Sequence, residues 1–101
     1  MLTSKQRAQL RGLAATEDTI VHIGKGGITD NIITQMSDAL KAREVVKGRV
    51  LENSLLTARE ACDALAETCR AEPVQVIGSK FVLYKRNEQK PKIELVKKAK
   101  K

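Results

Sequence analysis

Aromatic residues are nearly missing from this 101-residue chain: it has no tryptophan, one phenylalanine (Phe81) and one tyrosine (Tyr84). Two aromatics cannot build the kind of sheet that stacks several bases on exposed rings. Cysteine is also sparse. Cys62 and Cys69 lie seven apart in a helical pattern, which places them on one face but about 10 Å apart along the axis. A disulfide needs Cα atoms within about 7 Å, so the two are read as buried thiols, and a reducing cytoplasm follows. His22 is the single histidine, and it is read as a satisfied strand residue. No metal-ligand set stands out, and no Ser/His/Asp arrangement or carboxylate pair points to catalysis. Neither an enzyme nor a cofactor is expected. No apolar run approaches the roughly 18 residues of a membrane span. The opening Met1-Leu2-Thr3-Ser4-Lys5 leads into a polar helical pattern rather than an apolar leader core, so no secretory signal is expected.

What is present is a globular composition with an uneven charge. Hydrophobic residues make up 42% of the chain, enough for one core in one domain. The formal charge is +7, from 19 basic and 12 acidic residues. Residues 1–79 carry ten of each sign and are neutral, whereas residues 80–101 carry nine basic and two acidic residues. The excess therefore sits in the last strand and the tail. Such a tail acts either as an electrostatic arm for a polyanion or as a plain solubility tail.

Hydrophobic periodicity predicts the order α-β-α-β-α-β-β. Thr3 and Gln6 form a capping box for a first helix over residues 4–15, with Leu10, Leu13 and Ala14 as its apolar stripe. A first strand spans 20–23. Thr29 caps a second helix whose stripe is Ile32, Ile33, Met36, Ala39 and Leu40. A second strand spans 45–51. Asn53 or Ser54 opens a third helix, with Leu55, Ala58, Cys62, Leu65 and Cys69 on one face. Pro73 starts a third strand, and the Gly78-Ser79 pair turns it into a fourth as a type II′ hairpin. That register sets Val76 against Phe81 and Val74 against Leu83, all four on the core face. Gln75, Ile77, Lys80, Val82, Tyr84 and Arg86 fall on the other. In the second strand Val46 and Val50 alternate with Lys47 and Arg49, so one sheet face is apolar and the other partly basic. The two crossovers and the hairpin make an α/β fold with a four-stranded mixed sheet. The second and third helices should cover its apolar face; cover of the other face is left open. Ile93 and Leu95 form a candidate short edge strand, and residues 97–101 are expected to be disordered.

The stretch Ile20-Val21-His22-Ile23-Gly24-Lys25-Gly26-Gly27-Ile28-Thr29 carries the chemistry. A strand runs into a glycine turn, and a helix starts behind it. Successive backbone N–H groups, the helix N-terminus and Lys25 can together meet a phosphate. A mononucleotide P-loop is excluded, because its lysine must be followed by Ser or Thr and Lys25 is followed by Gly26-Gly27. A dinucleotide site is disfavoured: the third glycine of that fingerprint is Thr29 here, and Glu44 precedes the second strand rather than closing it. Gly24-Lys25-Gly26-Gly27 fits Gly-x-x-Gly with a basic residue between, the device by which KH domains clamp a nucleic-acid backbone.

The chain as a whole resembles the YhbY-type, or CRM (chloroplast RNA splicing and ribosome maturation), domain. The resemblance is carried by Leu2-Thr3-Ser4-Lys5-Gln6-Arg7 with Leu10-Arg11-Gly12-Leu13-Ala14, and by Ile23-Gly24-Lys25-Gly26-Gly27-Ile28-Thr29. It continues through Glu44-Val45-Val46-Lys47 and Val76-Ile77-Gly78-Ser79-Lys80-Phe81-Val82-Leu83-Tyr84-Lys85. It implies a fold similar to the C-terminal domain of bacterial translation initiation factor three with an added N-terminal helix, and RNA binding through the Gly-x-x-Gly loop and neighbouring basic residues. Free-standing bacterial members are linked to the precursor of the large ribosomal subunit, and a lone domain of this length resembles that form. The match departs at Gly48, where the family usually carries a bulkier apolar residue, which bears on local packing.

The expected RNA-binding residues are Gly24, Lys25, Gly26 and Gly27 in the loop, Lys47 and Arg49 on the second strand, Lys85 and Arg86 ending the last strand, and Lys5 and Arg11 on the first helix. Each basic residue has the plain alternative of a solvated surface charge. Tyr84 either stacks a base or packs beneath the first helix, and packing is favoured. With so few rings, recognition should rest on backbone shape and charge. The chain is thus read as a CRM-like domain over residues 1–87 and a basic, partly disordered tail over 88–101. It should engage structured ribosomal RNA during large-subunit assembly, as a monomer without membrane or small-molecule partners. The alternative is a protein-interaction module whose tail docks an acidic partner.

Overall fold

Three capped helices set the chain's punctuation in the computed structural model, which describes residues 2–87 together with Ile93. The elements are α1 (Ser4–Ala14), β1 (Thr19–Ile23), α2 (Asp30–Arg43), β2 (Val45–Val50), α3 (Ala58–Cys69), β3 (Glu72–Ile77) and β4 (Lys80–Tyr84). α1 starts at the expected capping box: Thr3 Oγ1 accepts the Gln6 N–H at 3.1 Å and Gln6 Oε1 accepts the Thr3 N–H at 3.0 Å. Thr29 Oγ1 accepts the Ile32 N–H at the start of α2. The start of α3 differs from the sequence expectation. Ser54 is spent in a local turn, its hydroxyl accepting the Leu56 N–H. The helix begins instead at Thr57, which forms a second capping box with Glu60. Leu55, expected in the stripe, is therefore outside the helix and 92% exposed. Leu13 is likewise exposed, and Gln6 takes a buried place on α1.

The sheet order is β1-β2-β4-β3. β1 and β2 are parallel neighbours joined through α2, and β4 lies antiparallel between β2 and β3. The α3 crossover therefore spans β4, and the hairpin inserts that strand. Gly78 has φ +58° while Ser79 has no positive φ, as a type II′ turn requires. Val76 faces Phe81 as expected, but Leu83 faces Pro73, not Val74. A bulge between Pro73 and Gln75 gives β3 one extra residue. It turns Val74 to the face shared with Val82 and Tyr84, away from the Phe81–Leu83 core.

Two cores result. α2 and α3 seal the first face over Val21, Ile23, Met36, Leu40, Val46, Leu65, Phe81 and Leu83. Both cysteines are buried there as free thiols, and burial, aided by Asp63 and opposed by Arg59, pushes the Cys62 thiol up to about 11. α1 covers part of the second face, with Leu10 and Ala14 against Val45, Val74, Val82 and Tyr84. Tyr84 thus packs beneath α1, and Phe81 is fully buried. Gly48 faces Phe81 across the β2–β4 pair. A Cβ there would sit 2.4 Å from the ring's Cζ, so the ring occupies the space that a larger residue on β2 would fill.

Glu44 fixes the far end of the sheet. It is fully buried at the end of α2 with φ +66°, a conformation that costs a non-glycine residue on the order of 1–3 kcal/mol. Its carbonyl accepts the Lys85 N–H at 2.8 Å, and its carboxylate accepts the N–H groups of Asn87 at 2.7 Å and Ile93 at 2.6 Å. Leu95, the rest of the expected tail at 88–92 and 94–101, and the disorder expected at 97–101 lie outside the described residues.

Two outcomes follow from this packing. Gly48→Val should destabilise the fold by about 1–3 kcal/mol through overpacking. Adding Phe81→Leu to that variant should recover part of the loss, read as coupling in a urea-denaturation double-mutant cycle. Glu44→Ala should cost about 2 kcal/mol, because two N–H groups lose their acceptor. Hydrogen exchange should then show faster exchange at Asn87 and Ile93, with Glu44→Gln less affected.

Candidate functional site

The Gly24–Gly27 segment is a closed turn: the Gly27 N–H donates to the Gly24 carbonyl at 3.0 Å. One of the amides expected to face a ligand is therefore turned inward. Gly27 has φ +72°, which a side chain resists. Gly26 differs, having no positive φ, and a Cβ there would meet only Thr29 Cγ2 at 3.7 Å. Folding alone does not require glycine at 26. Lys25 and Gly26 are exposed at the tip. The start of α2 behind the loop is partly satisfied by the chain itself, since Asp30 lies in its first turn and Thr29 caps it. The loop's outward offer is thus the Lys25 ammonium and the bare Gly26 backbone.

The cations of the second sheet face gather at the same end of the sheet. Arg49 on β2 and Lys80 on β4 form one row across the strands, which the His22 position on β1 extends. Gly24 follows His22 by two residues, about 7 Å of strand. Arg49 and Lys80 are directly opposite each other and both are exposed. Like charges at opposed positions destabilise a strand pair, so the sheet carries this arrangement against its own stability. Lys47 lies two residues before Arg49 on the same face. The sequence reasoning placed Lys80 on this face but left it out of the site. The missing signal was strand order, which sets β4 beside β2. His22 lies on β1 as expected and is exposed, because β1 is an edge strand and α1 packs on β2, β3 and β4.

Arg11, at the C-terminal end of α1, joins the group. With Lys47 and Lys80 it lines a concavity of about 300 Å³ between the helix end and the sheet. Among the described residues the ion pair present is Arg43 with Glu17, at 3.1 Å, so no carboxylate neutralises these three. Lys85 and Arg86 are not brought to the loop. They follow Tyr84, which pairs with Val45 at the opposite end of β2, about 16 Å away along the strand. Lys5 stands six residues before Arg11, about 9 Å along the helix axis. The ten expected residues thus divide into a cluster of seven (Gly24, Lys25, Gly26, Gly27, Arg11, Lys47 and Arg49) and three at a distance. No helix among the described residues is long and apolar enough to cross a membrane.

This arrangement of loop, helix and mixed sheet is shared with known proteins. The family model of the CRS1 / YhbY (CRM) domain matches residues 2–85. Bacillus subtilis YqeI, named a probable RNA-binding protein, is 42% identical over 95 residues, covering 94% of this chain and 99% of its own length. A Haemophilus influenzae protein named as RNA-binding is 32% identical, covering 96% of this chain and 97% of its own. The solution structure of Staphylococcus aureus SAV1595, for which RNA binding has been proposed, superposes with a TM-score of 0.71 at 45% identity. It covers 95% of this chain and all of that one. Matched by the family model over residues 2–85 and by relatives aligned over nearly their whole length, the chain belongs to the CRS1 / YhbY (CRM) domain family.

Proposed function

We propose that this protein is an RNA-binding domain that grips the RNA backbone with the Gly24–Gly27 loop and the cationic end of the second sheet face. The observation that carries the reading is the Arg49–Lys80 pair. Two cations opposed across a strand pair gain most from an anion laid between them, and a row of phosphates supplies one. Lys25 stands beyond the row as a point charge, and Gly26 lets a phosphate oxygen approach the backbone without a Cβ in its way. Relatives named as RNA-binding or probable RNA-binding proteins, which align over nearly their whole length, support the same partner. The target is structured ribosomal RNA, engaged during assembly of the large ribosomal subunit by a protein acting as a binder and not as a catalyst. The resemblance to free-standing bacterial members supports this finer assignment.

Phosphate neutralisation should dominate the affinity. With about five or six phosphates contacted, binding to a structured ribosomal RNA fragment should weaken on the order of 10³-fold between 50 and 200 mM salt. Fluorescence anisotropy measures this, and an affinity indifferent to salt would overturn the reading. Two variants separate binding from folding. Gly26→Ala should leave the melting temperature in place and weaken RNA binding. Lys80→Glu should hold or raise stability, because an opposite charge then faces Arg49, while weakening RNA binding and lowering the salt slope by at least about one. Wild-type affinity in both variants would show that the loop is only a turn and the cationic row only a solvated surface. Crosslinking to RNA in cells followed by sequencing tests the ribosomal assignment, with reads expected on large-subunit precursor RNA.

A further inference from the structure

α1 leaves a step where it ends on the second sheet face. Its last buried contact is Ala14, and beyond it the sheet lies open as far as the hairpin turn. The concavity at this step has walls of two kinds. Arg11, Lys47 and Lys80 supply positive charge from three separate elements. Ile77 supplies an apolar wall, 64% exposed although it is a large aliphatic side chain, and the nearly buried Val82 forms the floor. Gln75, half-buried between them, offers a carboxamide with both donor and acceptor. Among the described residues no carboxylate lines the space. The helix end does not compete for donors, since the carbonyls of Arg11, Leu13 and Ala14 already accept from Ala15, Thr16 and Glu17.

A bare phosphate surface needs charge but no apolar wall and no amide. A nucleotide needs all three: an anion site, a flat apolar contact and an edge partner. The volume of about 300 Å³ lies at the lower end of the roughly 300–1,000 Å³ range of ligand sites, which suits one nucleotide and not two. RNA-binding proteins reach bases mainly where a loop or bulge splays them out of the helix.

We infer that this concavity takes one unpaired nucleotide of the bound RNA, its phosphate against Arg11, Lys47 and Lys80 and its base against Ile77 over the Val82 floor, within reach of the Gln75 amide. The inference rests on the RNA-binding reading above and adds to it a preference for RNA with an unpaired residue. The Val74 bulge contributes to the site: it resets β3 so that Gln75 faces Val82 across the pair.

The test compares two RNA hairpins, one fully paired and one identical except for a single bulged uridine carrying a 4-thio group. The full-length chain should bind the bulged hairpin about tenfold more tightly, and ultraviolet crosslinking with mass spectrometry should place the adduct within residues 75–82. Gln75→Leu, which keeps the bulk and removes the amide without changing the charge beside Lys47 and Lys80, should remove the preference and the crosslink while duplex binding stays within about twofold. Ala15→Leu, which fills the concavity from the helix side, should do the same, and both variants are checked by melting temperature. Equal binding of the two hairpins by a wild-type chain that still shows the steep salt response overturns this inference and leaves the backbone reading intact. A crosslink that maps elsewhere does the same. Loss of salt-sensitive binding to both hairpins overturns both.

Discussion

An eleven-residue helix covering only part of a sheet face is the constraint on which the rest of this molecule depends. The sheet has two apolar-capable faces, and α2 and α3 seal one completely. The other is given to α1, about 16 Å long. A helix of that length buries Val45, Val74, Val82 and Tyr84 and ends before the row of His22, Arg49 and Lys80. The uncovered part is the part that carries charge. Burial and exposure are thereby divided along the same strands: residues under α1 hold the fold, and residues beyond its end face solvent.

That division needs both ends of the sheet to be fixed. At one end Phe81 lies over Gly48, so that β2 and β4 meet closely and Arg49 is held opposite Lys80. At the other end the buried Glu44 accepts backbone N–H groups from three later points in the chain, Lys85, Asn87 and Ile93. Lys85, Asn87 and Ile93 are thus held at the end of the sheet away from the glycine loop. This is why Lys85 and Arg86, although they belong to the basic excess, are not neighbours of Lys25. Basic residues that look continuous in the sequence are divided by the antiparallel course of β4.

Much of the fold was legible from local rules. Capping boxes are reciprocal and short-range, so Thr3 with Gln6 marks α1 without knowledge of anything else. The hairpin at Gly78-Ser79 was readable because a two-residue turn with glycine first has few alternatives. The start of α3 was misplaced because Ser54 and Thr57 are both good caps, and the choice rests on Glu60, which completes the box only for Thr57. Val74 was misassigned because strict alternation hides a bulge. The extra residue on β3 is decided by how that strand packs against β4 and α1, and no local pattern announces it.

The candidate site divides in the same way. Gly24-Lys25-Gly26-Gly27 and the alternation of Lys47 with Arg49 are short-range features, and the chain alone determined that a turn would present a lysine and that a strand would present two cations on one side. Which cations stand together was settled by strand order, by the register of β2 against β4 and by the point at which α1 stops. Those are long-range outcomes of packing two cores on one sheet. Local chemistry fixes what each segment offers; only the folded arrangement sets Lys80 beside Arg49, brings Arg11 to Lys47 and sends Lys85 and Arg86 to the far end.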